Sequence, residues 1–294
     1  MTMRTLMAAA AALLLFPAPA AAQPPQGSLD DVVAAERAFA AQTRERGFRE
    51  GFLAYAAPDA FNFEPGPGSA RARLEAIPAD APPPPGPPLF WWPQFAGIAA
   101  SGDLGFTSGG ATIPVRYFTV WQRQADGSWK WIYDGGTPLS APLPGGEGDP
   151  VVRLPAATAA AGSAEAALAE VRPLEAELAG LAASDAAAAR TRYLAAEAMV
   201  SGSATASFPG PENHAAELAR QPARQTLRPL GAIASRAGDM VFSWGETRWT
   251  REDQARWGHY VRIWQKRSQG WRIVADVLVP ARGSPPAPEP LPAR

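Results

Sequence analysis

Cysteine is absent from all 294 residues. That excludes disulfides, a thiolate nucleophile, a cysteine metal site and a lipoprotein anchor, so the fold must be held by its cores alone. Lysine occurs only at positions 130 and 266 and histidine only at 214 and 259, which leaves arginine to carry nearly all the positive charge. Neither sign of charge is in excess: the formal net charge is −1 and the pI about 6.2. A nucleic-acid or anionic-membrane partner usually calls for a basic excess or patch, and neither partner is expected. Phosphate-cradling glycine loops, a Gly-x-Ser-x-Gly elbow and a His-Glu-x-x-His segment are all missing. Two distant histidines have no metal-ligand spacing, so no metal or cofactor is expected.

Long apolar runs are also scarce. The run Leu6 to Phe16 follows a basic Arg4, is too short for a confident membrane span, and leads to Ala20-Ala21-Ala22. This pattern predicts a secretory signal over residues 1–22, cleavage before Gln23, and an exported protein free of the membrane once cleaved.

What is present in abundance is apolar and aromatic surface. Hydrophobic residues make up 47% of the chain, a globular proportion, and there are ten tryptophans. The chain also repeats itself. Gly102-Asp103-Leu104-Gly105-Phe106-Thr107 returns as Gly238-Asp239-Met240-Val241-Phe242-Ser243, and Tyr117-x-x-x-Trp121-Gln122 as Tyr260-x-x-x-Trp264-Gln265. Trp129 to Asp134 returns as Trp271 to Asp276, and Phe63-Glu64-Pro65-Gly66-Pro67 as Phe208-Pro209-Gly210-Pro211. A nearly constant offset of that size indicates duplicated domains, not a solenoid of short units.

Residues 23–28 form a spacer, and Ser28 followed by Asp30 and Asp31 marks a helix start, with Val32, Ala35 and Phe39 on one face. Gly47 ends that helix. A second helix carries Phe48, Phe52 and Tyr55; Ala60 to Phe63 reads as a strand and Arg71 to Ile77 as a third helix. The proline run from 82 to 88 reads as a rigid connector. Strands are expected at 90–100, 104–113, 115–124 and 128–133, the last two joined by an Asp126-Gly127 turn. A Pro, Gly and Ala-rich linker spans 138–172. The second copy, 173–280, is expected to open with helices at 174–181 and 185–199 and to close with strands at 226–235, 240–249, 257–266 and 270–278. Residues 281–294 read as a disordered tail. Helices first and hairpins later give an α+β class: two tandem cone-shaped domains, each with N-terminal helices against a strongly curved, mostly antiparallel sheet.

The segments Phe52 to Phe63, Gly102 to Gly109, and Tyr117 to Trp121 followed by Asp126 to Lys130 resemble the nuclear transport factor 2-like superfamily. Within it they are most similar to the SnoaL-like branch that includes domain of unknown function 4440. The resemblance covers most of residues 29–136 and 174–280, and Ser201-Gly202-Ser203 departs from the family's usual acidic turn. It implies cones with a pocket at the open end. It leaves the reaction open, because such domains include isomerases, cyclases, dehydratases, binding modules and assembly domains.

Candidate chemistry centres on the second copy. Glu246 shares alternation with Trp244 and Phe242, and a carboxylate among rings can serve as a general acid; pairing with Arg248 or Arg262 is the plainer account. His259 starts a strand beside Tyr260 and suits a general base, or a hydrogen-bonded sheet position. Trp244, Trp249, Tyr260, Arg262 and Trp264, with Tyr55 and Tyr133 in the first copy, are the candidate ligand-binding residues. Asp134 and Asp276 end the last strand of each copy, where a carboxylate at a pocket mouth could take up or deliver a proton. The preferred account is structural, since strand alternation puts Trp129, Trp131 and Tyr133 on one face and so turns Asp134 outward or onto the Gly135-Gly136 turn. His214 is expected in a solvated turn. The leading functional expectation is binding of a small apolar molecule. Alternatives are an isomerase, dehydratase or cyclase using Glu246 or His259, and a structural module. The two copies are expected to pack on each other in a monomeric chain.

Overall fold

The computed structural model describes residues 26–63, 66–82, 85–205 and 209–283. The expected signal segment, most of the expected tail and parts of the Phe63 and Phe208 motifs lie outside them. The first unit runs α1 (Leu29–Arg46), α2 (Phe48–Tyr55), β1 (Ala56–Phe63), β2 (Pro67–Ser69), α3 (Ala70–Glu75), β3 (Trp91–Ile98), β4 (Leu104–Ala111), β5 (Val115–Arg123), β6 (Trp129–Pro138) and β7 (Val152–Arg153). The second runs α4 (Ala164–Ala182), α5 (Ala186–Thr191), β8 (Leu194–Ser201), α6 (Pro211–Arg220), β9 (Thr226–Ala234), β10 (Met240–Arg251), β11 (Gln254–Arg267) and β12 (Gly270–Pro280). Among the described residues no helix is long and apolar enough to cross a membrane.

Local chemistry explains the boundaries. Ser28 and Asp31 form a reciprocal cap: the Ser28 hydroxyl accepts from the Asp31 amide and the Asp31 carboxylate from the Ser28 amide, at 3.2 and 2.8 Å. Gly47 takes φ 87°, a left-handed conformation that lets α1 stop and α2 begin without a β-carbon clash. Ser163 and Asp185 cap α4 and α5 one way, each side chain accepting from first-turn amides.

Two mixed sheets result. The strand order is β2-β1-β6-β5-β4-β3-β7 in one and β8-β12-β11-β10-β9 in the other. The shared part is the same in both: a parallel outer pair (β1 with β6, β8 with β12) followed by an antiparallel meander. Each sheet curves round its first helix, α1 against β3, β4 and β6 and α4 against β9 and β10, which gives the α+β cone expected from the sequence.

Several elements differ from the sequence expectation. The stretch expected as helix over 185–199 is the short α5 followed by strand β8, because pairing with β12 overrides the helix propensity of Leu194-Ala195-Ala196-Glu197. Helix α4 begins inside the expected linker and runs through Pro173. His214 lies in α6, not in a turn, with its Nε2 2.8 Å from the Ala198 carbonyl oxygen.

The outer faces of the two sheets meet. Phe61 lies 4.7 Å from Trp244 and 6.2 Å from Phe242, and Tyr133 5.8 Å from Phe242, ring centre to ring centre. A single apolar cluster holds buried residues of both units, among them Phe118, Val120, Met240, Val261 and Ile263. The equivalent turns also grip each other reciprocally. The Ala100 amide donates to Asp239 at 2.7 Å, and the Arg236 amide donates to Asp103 at 3.0 Å.

Candidate functional site

A charged residue breaks the apolar stripe of each first helix. Glu36 sits among Val32, Val33 and Phe39 on α1 and is fully buried. Its carboxyl accepts from the Trp91 and Trp121 indole nitrogens, the latter at 2.9 Å, and from the Thr107 hydroxyl. Burial raises its pKa, and these bonds work in the opposite direction. Glu175 repeats the pattern between Val171 and Leu178 on α4. It accepts from Trp264 Nε1 at 2.7 Å, Ser243 Oγ at 2.6 Å and Arg262 Nη1 at 2.8 Å. Thr107 and Trp121 thus correspond to Ser243 and Trp264, as the repeated motifs align them.

The units part company at the residue two before that tryptophan. It is Thr119 in the first and Arg262 in the second, directly opposite Asp134 and Asp276 on the neighbouring strand. In the second unit Arg262 Nε bonds one Asp276 oxygen at 2.7 Å and Arg190 Nε reaches the other at 2.8 Å. Both guanidinium groups are buried, so paired charges fill the interior. In the first unit Thr119 Oγ1 donates to Asp134 at 2.7 Å and no arginine follows. The space left is a cavity of about 310 Å³, walled by Phe52, Leu74, Trp91, Tyr117 and Trp131, with Asp134 at its side. His259 and Val279 of the second unit complete the rim.

Asp134 is partly exposed and lines this cavity. Burial pushes its carboxyl up to about 8; the Thr119 bond pulls the other way and the Glu36 charge adds to the rise. It is therefore largely protonated at neutral pH and can both donate and accept a hydrogen bond. The expectation that Asp134 points outward is overturned by a bulge. Val120 faces Tyr133 and Trp121 faces Trp131, so Ile132 is an extra residue and the alternation slips at that point. Trp131 and Asp134 consequently share the inner face, while Tyr133 turns outward. The second unit has the same irregularity at Val274, which turns Asp276 inward.

The candidate residues of the second copy divide between the two faces of their sheet. Tyr260, Arg262 and Trp264 point inward to Glu175 and are buried. Trp244, Glu246 and His259 are on the outer face. Glu246 stands opposite His259 in register and pairs with Arg228 at 2.7 Å, while Arg262 turns inward to Glu175 and Asp276. His259 stacks on Phe63 at 4.1 Å with the rings 4° from parallel, and its Nε2 is 2.8 Å from the Tyr133 hydroxyl. Burial pushes its pKa down to about 3, so it is neutral. Trp249 lies at the far end of β10 opposite Arg256. Tyr55 packs on Phe39 at 5.4 Å, with the Lys130 ammonium 5.6 Å from its ring, and does not line the cavity. Tyr133 and His259 alone among the candidates reach the cavity, at its rim. Among the described residues no cluster of three or more His, Asp or Glu side chains could hold a metal ion.

The sequence reading missed Glu36, Glu175, Thr119 and Arg190. The available signal was a glutamate at helical spacing inside an apolar stripe, Val32-Glu36-Phe39 and Val171-Glu175-Leu178, together with a tryptophan recurring on the facing strand.

No family model matches the chain, and no curated protein matches it. Solved structures similar to part of it include a DUF3225-family protein of unknown function from Pectobacterium atrosepticum, at 24% identity over 40% of this chain and 91% of that one, TM-score 0.33. Another is a nuclear transport factor 2-like protein of unknown function from Pseudomonas putida, at 13% identity over 40% and 89%, TM-score 0.34. A third is a nuclear transport factor 2-like protein with a cystatin-like fold from Novosphingobium aromaticivorans, at 20% identity over 40% and 82%, TM-score 0.32.

Proposed function

We propose that the protein binds a small, uncharged, largely apolar molecule in the cavity of its first unit, with Asp134 as the polar group that orients it. The observation that carries this reading is an apolar cavity lined by a single carboxyl, that of Asp134. Small-molecule sites are mostly apolar with a few placed polar groups. No lysine or arginine lines this cavity, so nothing there neutralises an anion. The reading is tested with 1-tetralone and its hydrocarbon counterpart tetralin. Both are expected to bind, the ketone more tightly below about pH 8, with the advantage lost above it as Asp134 ionises. Asp134→Asn should make the preference independent of pH, and Ala111→Phe, which fills the cavity, should weaken both ligands by at least about tenfold. Failure of both neutral probes to bind refutes it.

A second reading, acid–base catalysis of the isomerase or dehydratase kind, is favoured by the same residue. A carboxyl that ionises near 8 can give and take a proton at working pH. It predicts protein-catalysed deuterium exchange at the carbon next to the tetralone carbonyl, lost in Asp134→Asn.

The same proposal makes the protein an exported monomer of two tandem nuclear transport factor 2-like domains, of the SnoaL-like branch. The shared strand order and the reciprocal turn contacts support the duplication, and the Ala20-Ala21-Ala22 site supports export. N-terminal sequencing of secreted protein should begin at Gln23; an intact Met1 in the cytoplasm counts against it.

A further inference from the structure

We infer that the mouth of the second unit is a separate binding site, for a small aromatic anion such as an aryl carboxylate. The duplicated fold places this mouth where the first unit opens into its cavity: Leu278 stands where Gly136 does, and Trp249 where Ile113 does, by the alignment of the repeated motifs. Its interior is closed. Arg262 and Arg190, paired with Glu175 and Asp276, occupy the depth, and the Leu278 side chain takes room that Gly136 leaves free. What remains is an open depression of about 790 Å³ between the end of β10, the start of β11, the end of α6 and the 202–205 loop.

Its chemistry is the reverse of the first cavity's. Arg220, Arg251 and Arg256 line it, with Glu252 as the lining carboxylate. Arg220 is held at 2.8 Å by the buried Glu217, which also accepts from the Ser203 amide and hydroxyl. Arg251 is only 3.9 Å from Glu252, with both side chains largely exposed, and such a pair contributes little. Arg256 bonds the neutral amide of Gln254 at 2.6 Å. Two guanidinium groups therefore keep donor capacity for a carboxylate, which they match in a planar fork. Trp249, half-buried in the wall and directly cross-strand from Arg256, supplies a flat apolar face for a ring. A molecule that satisfies both is planar, aromatic and negatively charged, and small enough to lie in a depression without depth.

The test titrates the full chain carrying Ala111→Phe, which fills the first cavity so that a neutral probe cannot bind there, with 2-naphthoate and with 2-naphthamide, its neutral counterpart, following the bound ligand calorimetrically at low and high salt. Naphthoate is expected to bind roughly tenfold more tightly than the amide, on the scale of a charge-assisted hydrogen bond, and to lose that advantage in high salt. The double variant Arg251→Gln, Arg256→Gln should abolish the preference without altering the circular dichroism spectrum, and Trp249→Ala should weaken both ligands. 1-Tetralone should not compete. Equal binding of acid and amide, no effect of the double variant, or competition with tetralone would each overturn the inference. So would binding of a polyanion by these arginines without any binding of naphthoate, which would point to a macromolecular partner.

Discussion

Thr119 and Arg262 decide what each cone holds. Arg262 lies between Glu175 and Asp276 with its charge fully buried. Arg262→Thr would leave the interior Glu175 carboxylate without its cation and Asp276 with Arg190 alone, and breaking a buried pair in this way costs about 3–5 kcal/mol. Chemical denaturation should show that loss, and a variant as stable as the parent would mean the network is not an ion-pair core. Asp134 gives a pH signature. Its pKa is raised in the fold from 3.8 to about 8, so the native state binds the extra proton between those values. The stabilisation is fully present below about pH 4 and is lost as pH rises through 8. The raised Glu36 acts with the same sign. His259, depressed from 6.5 to about 3, acts oppositely and costs stability as pH falls through that window. Asp134→Asn should therefore flatten the fall in urea midpoint between about pH 4 and pH 8 and leave the dependence outside that window unchanged; an unaltered fall would show that Asp134 ionises normally. None of this was legible beforehand at Asp134, because its inward direction depends on one extra residue, Ile132.

Elements with sharp chemical punctuation were legible. The cap at Ser28, the break at Gly47 and the hairpin turn at Gly127 all stand where their residue types require. Strand β8 was not, because alanine and glutamate favour helix and the segment becomes a strand only through its parallel partner β12. Bulges are silent for a different reason: inserting one residue leaves composition and hydrophobicity unchanged and alters only which face comes next. Ala196, exposed on β8, separates the two conformations. Ala196→Thr should raise stability by a few tenths of a kcal/mol, because Ala196 lies in extended backbone between the paired residues Leu194 and Met199, where a β-branched side chain is favoured. In a helix the same change would lower stability by about 0.5 kcal/mol. A lower thermal midpoint in this variant would refute the strand.

At the scale of the whole molecule, the meeting of the two outer faces consumes the surface that each sheet would otherwise expose. Phe61, Tyr133, Phe242 and Trp244 pack on one another from within the chain, and a monomer is the expected outcome. Light scattering should give a single chain, 31.0 kDa before any processing, and the unfolding midpoint should stay constant over about a 100-fold range of protein concentration. A midpoint that climbs with concentration would identify an obligate oligomer. Because His259 and Val279 complete the rim of the first cavity, a ligand held there is expected to protect the second unit from unfolding as well.

The reciprocal grip of the two turns, Ala100 on Asp239 and Arg236 on Asp103, has the form of a two-fold contact between identical partners. In a true homodimer every substitution is made twice, so an arginine introduced to close one cone closes the other as well. Joining the halves in one chain removes that constraint. Each half keeps a companion at fixed stoichiometry, yet changes alone. Arg262 closes one interior while Thr119 leaves the other open, so two units of one shared strand order carry unlike interiors within a single chain.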